Sequence, residues 1–225
     1  MIYPIEIYHQ TMKSMCRLTF CTLTASFIAL CLWANMALAE TSLRIVVLGD
    51  SLISGYGLQG GEAFPEQLQI ALQADGLNVK IENAGVSGDT SAGGLSRLDW
   101  SIDGLQKPDL VIVALGANDM LRGLPVAETK KNIRGILQKL QEKDIKVLLI
   151  GMHAPLQYSL LFRNGFDKIY SDLAKTFNVP LYPFFLKDVA LKADLNQADG
   201  LHPNQKGVAV MVQNLKPIVQ NALKN

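Results

Sequence analysis

A serine hydroxyl becomes a competent nucleophile only when a base accepts its proton, and that base must be held in one tautomer by a carboxylate. Of the three histidines in the chain, His9 lies in the N-terminal segment and only His153 and His202 fall beyond it. His202 has Asp199 three residues before it, a spacing at which one turn brings carboxylate and imidazole together. His153 has no acid within eight residues on either side. Ser51, in Gly49-Asp50-Ser51, follows an apolar run and is expected where a strand gives way to a helical turn, with backbone N–H groups beside its side chain. Acyl transfer also needs donors aimed at the oxyanion. Gly88, where a backbone N–H can approach without a side chain in the way, and the neutral amide of Asn118 are the candidates, with the Ser51 N–H as a third.

Apolar runs bounded by Gly, Asn, Asp or Lys recur at Leu43–Leu48, Leu77–Ile81, Leu110–Leu115 and Val147–Ile150, and a weaker one lies near Val179–Tyr182. Such runs are the pattern of strands buried on both faces, although Leu77–Ile81 alternates like an edge. Between them the period is helical, clearest from Val126 to Leu140, where Ile133, Ile136, Leu137 and Leu140 mark one face. Helices are also expected over Phe64–Ala74, Gly165–Phe177 and Asn204–Leu223. Alternating strand and helix predicts an α/β fold: one three-layer α/β/α domain around a parallel sheet of about five strands, doubly wound in the flavodoxin-like manner. Ligands of such sheets sit beyond the carboxyl ends of the strands. Those ends carry Ser51, Gly88, Asn118 and His153, and Asp199 and His202 precede the final helix.

Taken singly, each feature has a plainer account. Ser51 reads as a helix N-cap, Asp199 and His202 as a turn with a surface histidine, Asn118-Asp119 as a turn pair, and Gly88 as a positive-φ turn residue. Asp50 and Asp89 read as side chains that hold backbone loops. Together, Val47-Leu48-Gly49-Asp50-Ser51-Leu52, Asn83-Ala84-Gly85-Val86-Ser87-Gly88-Asp89-Thr90-Ser91, Leu115-Gly116-Ala117-Asn118-Asp119 and Asp199-Gly200-Leu201-His202-Pro203 are similar, in order and spacing, to the SGNH hydrolase (GDSL esterase/lipase) family. Leu121-Arg122-Gly123 resembles its thioesterase/lysophospholipase/arylesterase branch. The resemblance implies a serine esterase with Ser51 as nucleophile, Asp199 and His202 completing the triad, and Ser51, Gly88 and Asn118 as the oxyanion hole. It implies medium-to-long acyl esters and thioesters as substrates, a two-step reaction through an acyl-serine, and no metal or cofactor. The segment Met152–Phe166, rich in Leu, Tyr and Phe, is expected to border an apolar groove. Met120, Leu121, His153 and Pro155 are the candidate substrate contacts there.

The N-terminal stretch has Lys13 and Arg17 ahead of an uncharged apolar run, Leu18 to Trp33, with Ala37-Leu38-Ala39 behind it. That run is short of the roughly 20 residues a membrane span needs, and the pattern is that of a secretory signal peptide. The expectation is a leader, residues 1–39, cleaved after Ala39, with translation starting at Met12 or Met15 and the domain occupying 40–225. All three cysteines, Cys16, Cys21 and Cys31, fall inside the leader, so the domain has no disulfide chemistry. Without the leader the basic and acidic residues are equal in number, which argues against nucleic-acid binding. The expected product is a periplasmic or secreted monomer, free of a membrane anchor, that acts on a small-molecule acyl ester or thioester. Two other readings remain open at this stage. A carbohydrate or small-acyl (acetyl) esterase would share every catalytic residue. A dinucleotide-binding module is the more distant reading, because Gly55-Tyr56-Gly57-Leu58-Gln59-Gly60 matches G-x-G-x-x-G with Glu82 further on, although its first glycine comes late and no helix opens at its last.

Overall fold

The computed structural model describes residues 42–104 and 106–224. The expected leader, its cleavage site and the alternative start methionines lie outside the described residues.

Five parallel strands, β1 (Leu43–Gly49), β2 (Val79–Gly85), β3 (Leu110–Ala114), β4 (Val147–Ile150) and β5 (Leu181–Tyr182), form one sheet in the order β2-β1-β3-β4-β5. Seven helices are interleaved among the described residues: α1 (Ser51–Ser54), α2 (Phe64–Ala74), α3 (Ser91–Ile102), α4 (Ala117–Leu121), α5 (Val126–Glu142), α6 (Leu160–Phe177) and α7 (Gln205–Lys224). Helices α2 and α7 pack together on one side of the sheet, and α3, α5 and α6 pack in series on the other. This is the expected three-layer, flavodoxin-like arrangement. Its core is made where the apolar runs predicted it, with Ile45–Leu48 and Leu110–Val113 wholly buried. The apolar stripe of α5, from Ile133 to Leu140, is buried as its spacing required.

The order of strands decides where chemistry can occur. After β1 the chain crosses to β2 on one side and then returns to β3 on the other, so the connections that leave β1 and β3 diverge and open a crevice at their carboxyl ends. Ser51 follows β1 and Asn118 follows β3.

Two elements differ from the sequence reading. Strand β2 begins at Val79 and runs on to Gly85, past the alternating Leu77–Ile81. An edge strand tolerates its polar residues, and Glu82 is paired with Arg44. Helix α6 begins at Leu160, five residues before the expected start, because the Ser159 hydroxyl accepts the Phe162 N–H at 3.2 Å and caps it. Gly165 then sits inside the helix, where it packs against Val126 of α5.

Arg44 is the buried charge on which the amino-terminal end of the sheet depends. Its guanidinium donates to both oxygens of Glu82, at 3.0 and 2.6 Å. It also donates to the carbonyls of Ile102, Gln106 and Asp103, at 3.0, 2.7 and 2.8 Å. Removing one partner from such a set leaves the others desolvated and unpaired, which costs more than the pair contributes when intact. Arg44→Met is expected to lower the unfolding free energy by about 3 kcal/mol in urea titration; an unchanged midpoint would show that the loop after α3 relaxes without it.

Candidate active site

The first strand delivers Ser51 into the crevice through a very short helix. The Asp50 carboxylate accepts the Leu52 N–H at 3.0 Å, so Asp50 is the N-cap and Ser51 is the first helical residue rather than the cap. The helix ends after one turn at Gly55, whose φ of 78° is a conformation glycine adopts freely. It lies tightly across the end of β2, because a Cβ on Gly85 would collide with the backbone of Ile53 and Ser54. The hydroxyls of Ser54 and Ser87 meet at 2.8 Å and bind α1 to the loop that carries Gly88.

His202 arrives from the segment ahead of α7. Its Nε2 is 2.9 Å from Ser51 Oγ, and its Nδ1 is 2.6 Å from Asp199 Oδ2. The other oxygen of Asp199 accepts the N–H groups of Leu201 and His202, at 2.9 and 3.0 Å. The His202 N–H first, then the imidazole and the Leu201 N–H, pull the Asp199 carboxyl down to about 2. It is therefore a carboxylate at any ordinary pH, and it holds the proton on Nδ1 so that Nε2 faces Ser51 as an acceptor. The loop is closed by Gln197 N–H donating to the His202 carbonyl at 2.8 Å, and it turns at Gly200, φ 68°. Gln197 also donates through Nε2 to the Tyr56 carbonyl at 2.8 Å, which straps the histidine loop to the segment leaving α1. The Tyr56 ring lies 4.7 Å from the imidazole.

Asn118 lies in α4, which is pinned by a buried carboxylate. Asp119 accepts the Ser91 N–H, the Ser91 hydroxyl and the Thr129 hydroxyl at 2.7, 2.5 and 3.2 Å, joining α4 to α3 and α5. The Asn118 amide donates to the Asp89 carbonyl at 3.0 Å and to Asp50 Oδ2 at 3.3 Å. It thereby touches the residue after Gly88 and the residue before Ser51. Gly88 has φ 83° and its carbonyl accepts Arg122 Nη2 at 2.6 Å. Asp89 pairs with Arg97 at 2.6 Å, and Arg97 donates to the Gly49 carbonyl at 2.9 Å, so the loop is tied to the end of β1. The hydroxyl, the imidazole, the carboxylate and the loops of Gly88 and Asn118 thus meet at one switch point.

The remaining candidates line the same rim. Met120 is buried and its carbonyl accepts the Tyr158 hydroxyl at 3.1 Å, while Leu121 and Pro155 are exposed. His153 is half exposed and rests on Phe184, and its Nδ1 is 3.2 Å from Asp167. That acid also accepts the Ala154 N–H at 2.9 Å. Asp167 and Gln197 escaped the sequence reading because each acts over a separation that no local motif marks. Among the described residues no cluster of His, Cys, Asp and Glu could hold a metal ion. A hollow of about 550 Å³ bordered by Asp144, Lys146 and Phe177 lies at the opposite end of the sheet and contains none of these groups. The glycines of the dinucleotide-like stretch do not open a helix at a strand end: Gly55 terminates α1, α2 begins only at Phe64, and Glu82 is occupied by Arg44.

A hydroxyl, an imidazole and a carboxylate in line at the switch point of a 2-1-3-4-5 sheet define the class of serine hydrolases built on a flavodoxin-like fold. The sequence profile of the GDSL-like Lipase/Acylhydrolase family matches residues 47–210. "Esterase TesA" of Pseudomonas aeruginosa is 35% identical over 201 residues, covering 89% of this chain and 98% of that protein. "Thioesterase 1/protease 1/lysophospholipase L1" of Escherichia coli is 37% identical over 187 residues, covering 81% and 88%. The crystal structure of AlinE4, an SGNH-hydrolase family esterase, superposes with a TM-score of 0.70 at 45% identity, covering 82% of this chain and 98% of that one. The chain belongs to the GDSL-like lipase/acylhydrolase family, the SGNH hydrolases, and is an esterase/thioesterase-type enzyme of that family.

Burial leaves a titration to test. Asp50 is 2% exposed, and desolvation raises its carboxyl to about 6 against the opposing effect of the Leu52 N–H. The folded protein therefore holds this proton more tightly than the unfolded chain, whose aspartates titrate near about 3.9. Stability from this group is present at low pH and is lost as pH rises through 4 to 6, by on the order of 3 kcal/mol. Urea unfolding of the parent and Asp50→Asn at pH 4 to 7 should show that decline in the parent and its absence in the variant. Parallel curves would mean that the buried carboxyl is not protonated.

Proposed function

We propose that Ser51 is the nucleophile, His202 the general base and acid, and Asp199 the group that orients and charge-balances His202. The observation that carries this reading is the unbroken line of hydrogen bonds from Asp199 through His202 to Ser51, 2.6 and 2.9 Å long. Ser51 Oγ attacks the ester or thioester carbonyl while its proton passes to His202 Nε2. The tetrahedral oxyanion is met by the N–H groups of Ser51 and Gly88 and by the Asn118 amide, which exchanges its longer bond, the 3.3 Å contact with Asp50, for the oxyanion. Collapse expels the alcohol or thiol, which takes the proton from His202 and leaves an acyl-serine. Water, deprotonated by His202, then attacks the acyl-serine carbonyl; on collapse the bond to Ser51 Oγ breaks, His202 returns the proton to Oγ, and the acid is released. The reaction uses no metal and no cofactor.

Medium-to-long acyl chains are the proposed substrates. Met120 and Leu121, which follow β3, and His153 and Pro155, which follow β4, are the residues proposed to border such a chain. The names of the relatives, an esterase and a thioesterase/lysophospholipase, support ester and thioester bonds as the bonds cleaved. Residues 1–39 act as a leader cleaved after Ala39, and residues 40–225 work as a monomer in the periplasm or outside the cell. Among the described residues no helix is long and apolar enough to cross a membrane.

Hydrolysis of p-nitrophenyl esters from acetyl to palmitoyl tests the reading. The expected result is an optimum at medium or long chains that Ser51→Ala abolishes. Asn118→Ala should lower kcat by about 10²–10³-fold with a modest change in KM. A pure KM effect would make Asn118 a substrate contact. A strict acetyl preference would overturn the proposed chain length, and activity indifferent to Ser51→Ala would overturn the mechanism.

A further inference from the structure

The two ends of the sheet differ in what they show to water. Among the described residues ten large hydrophobic side chains are exposed, and eight of them lie in segments that follow the carboxyl ends of strands, on the catalytic rim. Only Ile70 and Trp100, on α2 and α3, lie elsewhere. Among their described residues the loops at the opposite end expose none and carry Asp75, Asp103, Lys107 and Asp144 instead. Exposed apolar side chains scattered at random need no explanation, but their concentration around a site does.

The densest part of that rim is Leu156, Leu160 and Leu161, exposed by 82, 64 and 86%. They are held outward. Leu156 lies in the turn closed by Tyr158 N–H on the Pro155 carbonyl, and Leu160 and Leu161 begin α6 behind the Ser159 cap. Beneath them Tyr158 stacks on Phe162 and Phe162 on the buried Phe166, at centroid distances of 5.0 and 5.9 Å. The Tyr158 hydroxyl reaches the Met120 carbonyl, so this tip is tied to the helix that carries Asn118. Within the two chain segments that form it the charge has one sign. Neither Met120–Ala127 nor Gly151–Phe166 contains Asp or Glu, whereas both contain an arginine, Arg122 and Arg163. The acids that flank these segments are each engaged: Asp119 by Ser91 and Thr129, Glu128 by Lys131, and Asp167 by His153 and the Ala154 N–H.

We propose that the leucine tip at 156–161 docks on the surface of an anionic lipid aggregate. Leu156, Leu160 and Leu161 enter the acyl layer, and Arg122 and Arg163 lie at the level of the headgroups. Docking in this orientation turns the Ser51 crevice toward the lipid, so an ester can pass from the aggregate to the site without crossing bulk water. The surface rests on the acyl-hydrolase reading only for its purpose, since lipid binding itself needs no turnover.

The test uses the Ser51→Ala chain, which cannot consume its ligand, and sucrose-loaded vesicles of phosphatidylcholine with one-third phosphatidylglycerol. The chain is expected to co-sediment with these vesicles and less with pure phosphatidylcholine. Leu156→Gln, Leu160→Gln and Leu161→Gln together should weaken binding at least about tenfold. Arg163→Gln should lower binding only where phosphatidylglycerol is present. With Ser51 intact, turnover of monomeric p-nitrophenyl acetate by the triple variant reports its folding, and Leu161→Gln alone, read the same way, serves if the triple does not fold. Absence of vesicle binding, or binding indifferent to the leucines, overturns the proposal. So does a dimer in sedimentation velocity that the leucine changes dissociate, because the face would then belong to a second copy of the chain. Loss of lipid binding with Ser51-dependent hydrolysis retained overturns docking alone, whereas lipid binding without such hydrolysis overturns the acyl-hydrolase reading alone.

Discussion

The side-chain amide of Asn118 is where three strand ends are joined. It follows β3, donates to the carbonyl of Asp89 beyond β2, and reaches the carboxylate of Asp50 at the end of β1. Neither partner stands free. Asp50 caps the helix that begins with Ser51, and Asp89 is held by Arg97, which also grips the Gly49 carbonyl. The result is a ring of hydrogen bonds around the switch point. It is built from groups that are individually weak in water but strong in a buried setting. Desolvation of Asp50 opposes folding, so this ring is a place where stability is given up for geometry.

The histidine comes from the other edge of the domain and depends on a second, local device. Asp199 spends one oxygen on two backbone N–H groups and the other on the imidazole, so the same carboxylate shapes the loop and sets the tautomer. Gln197 then fixes that loop to the chain leaving α1. Pairing Ser51 with His202 therefore requires the sheet to bring the first strand end and the last loop together, and it requires each to be rigid before they meet. The preorganisation that acyl transfer needs is thus distributed over capping, loop closure and one long-range strap.

What could be read from the sequence follows from the range of each interaction. Strands β1, β3 and β4 were legible because burial on both faces demands unbroken apolar runs. Strand β2 was displaced because an edge admits Glu82 and Asn83, which no apolar count would include. Helix α3 has no clear sequence signature, since Gly93 and Gly94 dilute the apolar spacing of Leu95, Leu98 and Ile102. Within the site, Asp199 and His202 were legible from a spacing of three, and Ser51 from its place at a strand end. The partner of His153 was not, because Asp167 is a full loop and two helical turns away. Nor was Gln197, whose bond to Tyr56 spans 141 residues. A serine at a strand end reads as an N-cap, but the cap is Asp50, and that shift of one residue leaves the Ser51 hydroxyl free to meet the histidine.

The central claim is that Ser51 is activated through His202, and a covalent probe tests it without any assumption about substrate. Intact-mass analysis after treatment with an alkyl fluorophosphonate, followed by peptide mapping, should find a single adduct on Ser51. It should be absent from Ser51→Ala, and its formation should be greatly slowed in His202→Ala. An adduct elsewhere, or labelling of Ser51 that is equally fast without His202, would contradict the account.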